Sequence, residues 1–223
     1  MAKQTINIGT SANDGTGSTL RAAFDITNDN FTELYDGTGG LLHKIEGTNF
    51  TGSLLIGHST TGTLSSAQNN TGIGIGALDA LTSGDDNVAV GKAAGGAITT
   101  GGSNIAIGRN AGDAITTGSF NIAVGAYALT VEDTGSRSIA IGYAALENQN
   151  NDSDNYNVAV GHNAGKLVTT GTRNVIIGGL AGDALTTGGF NIAIGYAALS
   201  TEDGHGHNIA IGREALFAQN ADA

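Results

Sequence analysis

The sequence predicts an all-β solenoid of about ten coils, most of them 17 residues long. Three observations carry that prediction. The first is a recurring pentapeptide: Asn, Ile or Val, Ala, Ile or Val, Gly. It reads Asn87-Val88-Ala89-Val90-Gly91, then Asn104-Ile105-Ala106-Ile107-Gly108, and continues to Asn208-Ile209-Ala210-Ile211-Gly212. Looser copies close at Gly57 and Gly76, and one copy opens with Ser138. The closing glycines then fall at 57, 76, 91, 108, 125, 142, 161, 178, 195 and 212, so the spacing is 17 apart from one interval of 15 and two of 19. The second is composition: 37 glycines, no proline, cysteine or tryptophan, and 5% aromatic residues suit thin stacked strands better than a bulky core. The third is size, since so short a unit buries its apolar face only by stacking on copies of itself.

Within each pentapeptide, strand alternation separates the two Ile/Val side chains from Asn, Ala and Gly. The expectation is that Ile and Val fill the coil, that the small Ala face is left for solvent or another chain, and that stacked Asn side chains form an amide ladder. The closing Gly suits a tight corner where a Cβ is costly. Two kinds of unit follow the corner. After Gly91, Gly108, Gly161 and Gly178 the chain reads x-x-Ala-Gly, with a later aliphatic at Ile98, Ile115, Val168 or Leu185. After Gly125, Gly142, Gly195 and Gly212 it reads x-x-Ala-Leu, and the later slot holds Glu132, Gln149, Glu202 or Gln219. Each coil therefore has one further core aliphatic, supplied from one of two places. The order repeats, so residues 87–156 match 157–223 at a shift of about 70, the mark of an internal duplication. Growth by duplication suits a protein whose work is length or surface.

Upstream, residues 1–40 read as an attachment segment. A strand-like run (Thr5-Ile6-Asn7-Ile8) and a turn cluster (Asn13 to Gly17) precede a helix from Ser18 to about Tyr35. Leu20, Phe24, Thr27, Phe31 and Leu34 have a/d spacing, so Leu20, Phe24, Phe31 and Leu34 are candidates for joining chains in a short coiled coil. Residues 41–70 are a transition with a first degenerate coil at Leu54-Leu55-Ile56-Gly57, and residues 71–223 are the repeats. The formal charge of −11 argues against phosphate binding, so no nucleic-acid partner is expected. No run approaches the roughly 20 apolar residues of a membrane span, and the start lacks an apolar secretory stretch. A soluble protein made in a cytoplasm is the expectation.

The unit Asn-Ile-Ala-Ile-Gly-x-x-Ala over 71–217 resembles the head repeat of trimeric autotransporter adhesins, the YadA-like left-handed parallel β-roll. The resemblance implies a homotrimer and a role in adhesion. The coils here are longer than that unit, and the sequence reads as one expected to lack the secretion signal and membrane anchor of such adhesins. Bacteriophage fibres with similar repeats need neither. The run Ile6-Asn7-Ile8-Gly9-Thr10, Asn13-Asp14-Gly15-Thr16-Gly17, Leu20-Arg21, Ala23-Phe24, Asn28, Asn30-Phe31, Glu33-Leu34 is similar to the leader of many phage structural proteins. Together these imply a trimeric virion fibre, assembled in the host cytoplasm, attached through its N-terminus to other virion proteins and serving as a spacer or host-surface adhesin. A cell-surface adhesin module and a glycan-degrading β-solenoid enzyme are the alternatives.

Candidate sites are few. His205-Gly206-His207 is the one metal-type motif, and phage fibre tips that resemble this chain use His-x-His for iron on a threefold axis; the competing reading of His205 and His207 is a polar turn. His43, His58 and His162 stand isolated. The acidic pairs Glu132-Asp133 and Glu202-Asp203 read as solvated turns, because neighbouring positions point apart and no long loops build a groove. No catalytic set and no cofactor motif stands out, so neither an enzyme nor a cofactor is expected. The threonine pairs (Thr99-Thr100 and its repeats) are interrupted by the Leu-type units, which argues against a flat ice-binding plane. Recognition of a host glycan or protein would fall to the variable positions after each Gly: Lys92, Arg109, Tyr143, His162, Tyr196 and Arg213, with Ala126 and Gly179 in the same series.

Overall fold

The computed structural model describes residues 43–47, 50–56, 66–201 and 204–217. The chain divides into a unit of residues 1–44 and a unit of residues 45–223. The helix expected over 18–35, with Leu20, Phe24, Phe31 and Leu34, lies outside the described residues. Within them the protein is a parallel β-solenoid, and no helix occurs there.

Twelve short strands form one sheet: β1 (His43–Gly47), β2 (Phe50–Ile56), β3 (Ala67–Gln68), β4 (Thr71–Ile73), β5 (Val88–Val90), β6 (Ile105–Ile107), β7 (Ile122–Val124), β8 (Ile139–Ile141), β9 (Val158–Val160), β10 (Val175–Ile177), β11 (Ile192–Ile194) and β12 (Ile209–Ile211). β2 and β4 to β12 are its ten rungs, enclosing about nine coils. Each rung pairs in parallel with the next, equivalent residues side by side: Val88 with Ile105, Ala89 with Ala106, Val90 with Ile107.

The register corrects the spacing of the first coils. Ile56 pairs with Ile73 and Ile73 with Val90, so the residue closing β4 is Gly74, not Gly76. The apparent intervals of 19 and 15 around it become two of 17. One long coil remains, between β8 and β9, where Ile139 pairs with Val158.

The faces of the strand are the reverse of the expectation. Ala89, Ala106, Ala123, Ala140, Ala159, Ala193 and Ala210 are buried, while Ile73, Ile107, Ile141 and Ile177 remain about two-fifths exposed. The alanines and asparagines line the inside of the coil, and the branched side chains point out. The coil is too narrow for two facing rows of branched residues, and its volume is taken by the aliphatics of the turns. These are Ile98 and Ile115 in the Gly-type coils and Leu129, Leu146 and Leu199 in the Leu-type coils, all buried.

The asparagines occupy the inside because they have work there. Asn104 Oδ1 accepts from the Asn121 backbone N–H at 2.9 Å, and its Nδ2 donates to the Gly118 carbonyl at 2.8 Å across the coil. Asn87 does the same for Asn104 and Gly101, and Asn174 for Asn191 and Gly188. The expected amide ladder is therefore present, inside the coil. From Asn70 to Asn191, each asparagine of the column satisfies a carbonyl of its own coil and an N–H of the next.

Glycine has a specific reason at the corner. Gly108 adopts φ 130°, and a Cβ there would lie 2.7 Å from the Gly125 carbonyl carbon and oxygen. The later Gly/Leu position is left-handed in both coil types, φ 54° at Gly112 and 52° at Leu129. Leucine accepts the steric cost of that conformation because it fills the core.

Two substitutions test this framework by chemical denaturation. Asn104→Ala orphans the Asn121 N–H and the Gly118 carbonyl, at about 1–3 kcal/mol for each buried group left unpaired. Gly108→Ala strains the backbone and drives a methyl into the next coil, so it should lower the unfolding midpoint at least as much. An Asn104→Ala midpoint within error of wild type would overturn the ladder's role.

Candidate functional site: the outer face of the sheet

Since the strand side chains point outward, the exposed surface of the sheet is built from four parallel columns. Two are the aliphatic columns: one from Val88 through Ile105, Ile122 and Ile139 to Ile209, the other from Ile73 through Val90, Ile107 and Val124 to Ile211. Every rung from β5 to β12 contributes one Ile or Val to each. They form an uninterrupted apolar ladder on the outside of the molecule.

A third column lies one residue before the asparagine position of each rung from β4 to β12, which Ser138 fills ahead of β8: Asn69, Asp86, Ser103, Phe120, Arg137, Tyr156, Arg173, Phe190 and His207. Sequence reading did not single it out, except for His207. All nine have left-handed backbones, φ 53° to 66°. Asn and Asp tolerate that conformation, whereas Phe, Tyr and Arg adopt it at a cost. Phe120, Tyr156 and Phe190 are each about half exposed. The side chains stack along the axis. The Arg137 guanidinium lies 5.3 Å from the Phe120 ring and 5.8 Å from Tyr156, and Arg173 lies 5.7 Å from Tyr156 and 5.3 Å from Phe190. His207 closes the stack, its ring parallel to Phe190 at 5.0 Å. Asp154, in the long coil, pairs with Arg137.

The fourth column contains the residues expected to form a recognition surface. Lys92, Arg109, Tyr143, His162, Tyr196 and Arg213 are all exposed, each immediately after a corner glycine. Tyr143 stacks on His162 at 5.1 Å, and Arg213 lies 5.8 Å from the Tyr196 ring. Arg109 packs at 4.6 Å on Tyr127 of the next coil. Both flanking columns are rich in Arg and aromatic side chains, the residue types that anchor protein contacts.

His207 belongs to the outer aromatic stack, and the His205 carbonyl accepts from Asn191 Nδ2 at 3.1 Å. Among the described residues, no cluster of three or more His, Asp or Glu side chains is gathered as a metal would require. The threonines Thr99, Thr116 and Thr169 turn their hydroxyls to carbonyls of the next coil. In a shallow cleft, Asp183 and Glu214 come together with Tyr196 and Ser200, and burial raises the Asp183 carboxyl above its ordinary range. The duplicate of this cleft has Ala144 where Glu214 stands, so the pair is not a feature of the repeat. No family model, curated protein or solved structure matches this chain.

Glu132 is where the reading of the acidic pairs fails. It is fully buried, not a solvated turn residue. Ser138 breaks the asparagine column, and Glu132 with Gln149 repairs it. Gln149 Nε2 donates to Ser138 Oγ at 2.8 Å and to Glu132 Oε2 at 2.9 Å, while Gln149 Oε1 accepts from Asn157 Nδ2 at 2.8 Å. Glu132 also accepts from the Gly135 N–H at 2.7 Å and from Asn155 Nδ2 at 3.0 Å. The hydrophobic filler Leu129 does release the later slot to a polar residue, as expected. That polar residue is internal and hydrogen-bonded. Sequence pattern signals it only as a Glu and a Gln occupying slots that are aliphatic in the other coil type.

Burial raises the Glu132 carboxyl above its ordinary 4.5, partly offset by these donors. The folded state therefore binds this proton more tightly than the unfolded chain. The resulting stability is complete below the unfolded value and is lost as pH rises through the folded one. Glu132→Gln removes the titration, so the stability of wild type relative to this variant should fall as pH rises from 4.5 toward neutrality. Denaturation midpoints taken across that range check it; parallel profiles for the two proteins would rule it out.

Proposed function

We propose that this chain is a structural fibre protein of a bacteriophage virion: a homotrimer attached through its N-terminal segment and serving as a spacer or host-surface adhesin. The observation that carries the reading is the outward aliphatic ladder. A contiguous apolar surface running the length of a repeat protein marks an interaction site. Its rungs recur every 4.8 Å or so, and a second copy of the same solenoid offers the same pitch over the same length. A globular partner does not.

Copies related by rotation about an axis parallel to the stack cover one another's ladders along their whole length and form a closed assembly. Three chains is the number implied by the resemblance of the repeat to trimeric adhesin heads. The leader resemblance at residues 6–34 favours a virion over a bacterial surface. The repeated architecture suits mechanical length, with specificity left to the variable outer columns.

Light scattering of the purified chain should return the mass of three chains. Ile107→Lys combined with Ile141→Lys places charges in the ladder and should release monomers that keep their β-sheet circular dichroism. A monomeric wild type would overturn the assembly. Mass spectrometry of purified particles tests the rest: a chain absent from virions is not a virion fibre.

A further inference from the structure

We infer that the two columns flanking the aliphatic ladder pair with each other between neighbouring copies of this chain, coil by coil. The inference rests on the self-association just proposed and specifies its contacts. Rotation about an axis parallel to the stack leaves the height of every coil unchanged. The column before the asparagines on one copy then meets the column after the corner glycines on the next, at the same level.

The residues at each level fit one another. Asp86 meets Lys92, opposite charges. Phe120 meets Ala126 and Arg173 meets Gly179, large side chains against the two smallest residues of the opposing column. Arg137 meets Tyr143, a guanidinium against a ring. A head-to-tail arrangement, which reverses heights and sets each column on itself, gives none of these matches. His207 against Arg213 and, at the first rung, Asn69 against Ile75 are levels without an attractive match.

Two further observations point the same way. Lys92, Arg109, Arg137, Arg173 and Arg213 all lie in these columns, so of the basic residues between 66 and 217 only Lys166 lies elsewhere, on a chain of net charge −11. Phe120, Arg137, Tyr156, Arg173 and Phe190 also hold left-handed backbones while exposed. Asn or Gly adopts that conformation at lower cost, so the bulky side chains have their reason outside their own coil.

The chain has no cysteine, which makes the pairing directly testable. Ser103→Cys with Arg109→Cys places thiols at opposite ends of β6 (Ile105–Ile107). The extended strand, at about 3.3 Å per residue, keeps the two beyond the roughly 7 Å that a disulfide spans, so they cannot join within one chain. Oxidation should convert most of the double variant to covalent trimer on a non-reducing gel, with each single variant staying monomeric. A charge exchange gives a second reading: Asp86→Lys or Lys92→Asp alone should weaken assembly, and the two together should restore it. A trimeric wild type whose double-cysteine variant stays uncrosslinked, or whose charge exchange restores nothing, overturns the pairing but leaves self-association standing. A monomeric wild type overturns both.

Discussion

A coil of 17 residues encloses a narrow space, and the carbonyls of its turns point into it. Whatever lines that space must be small and must donate hydrogen bonds, because an unpaired buried carbonyl costs as much as a lost hydrogen bond. Asparagine meets both demands. Its Nδ2 reaches a glycine carbonyl on the far side, and its Oδ1 holds the N–H of the next coil, so one side chain sets the width of a coil and its distance from its neighbour. The repair at Ser138 shows how strict the requirement is: where the amide is missing, Gln149 and Glu132 supply donors and acceptors from the other wall.

Volume is balanced around this column with the same economy. Where the coil that follows β4 carries both Leu78 and Leu81 inside, the alanine position of β4 becomes Gly72, and a Cβ there would lie 2.4 Å from Leu55 Cδ2. Where β10 carries Ile176 in place of alanine, the adjoining turns hold Gly165 and Gly182, and an added Cβ at Gly165 would lie 2.9 Å from Ile176 Cδ1. Leu129 and Leu146 accept a left-handed backbone to fill the space that Ile98 and Ile115 fill elsewhere. In a close-packed interior an enlargement at one position is accommodated only where its neighbours are small.

The narrow interior also explains the outside. With no room within, the Ile and Val of every rung turn to the surface, where β-branched side chains still suit an extended strand. The described rungs thus carry a continuous apolar surface externally, edged by arginine and aromatic side chains. The regular pitch of that surface matches a partner with the same repeat.

Much of this was legible in the sequence. The pentapeptide's periodicity dictated a solenoid, its 17-residue spacing dictated the coil length, and the exchange between x-x-Ala-Gly and x-x-Ala-Leu located the alternative fillers at Ile98, Ile115, Leu129 and Leu146. The chemistry of asparagine was enough to anticipate a ladder. Three things were decided only by the tertiary structure: which face of the strand turned inward, that Gly74 and not Gly76 closed β4, and that Glu132 was buried. Alternation along a strand says that Ala and Ile lie on opposite faces but not which face is inside. That choice depends on the cross-section of the closed coil, a property that no single repeat contains.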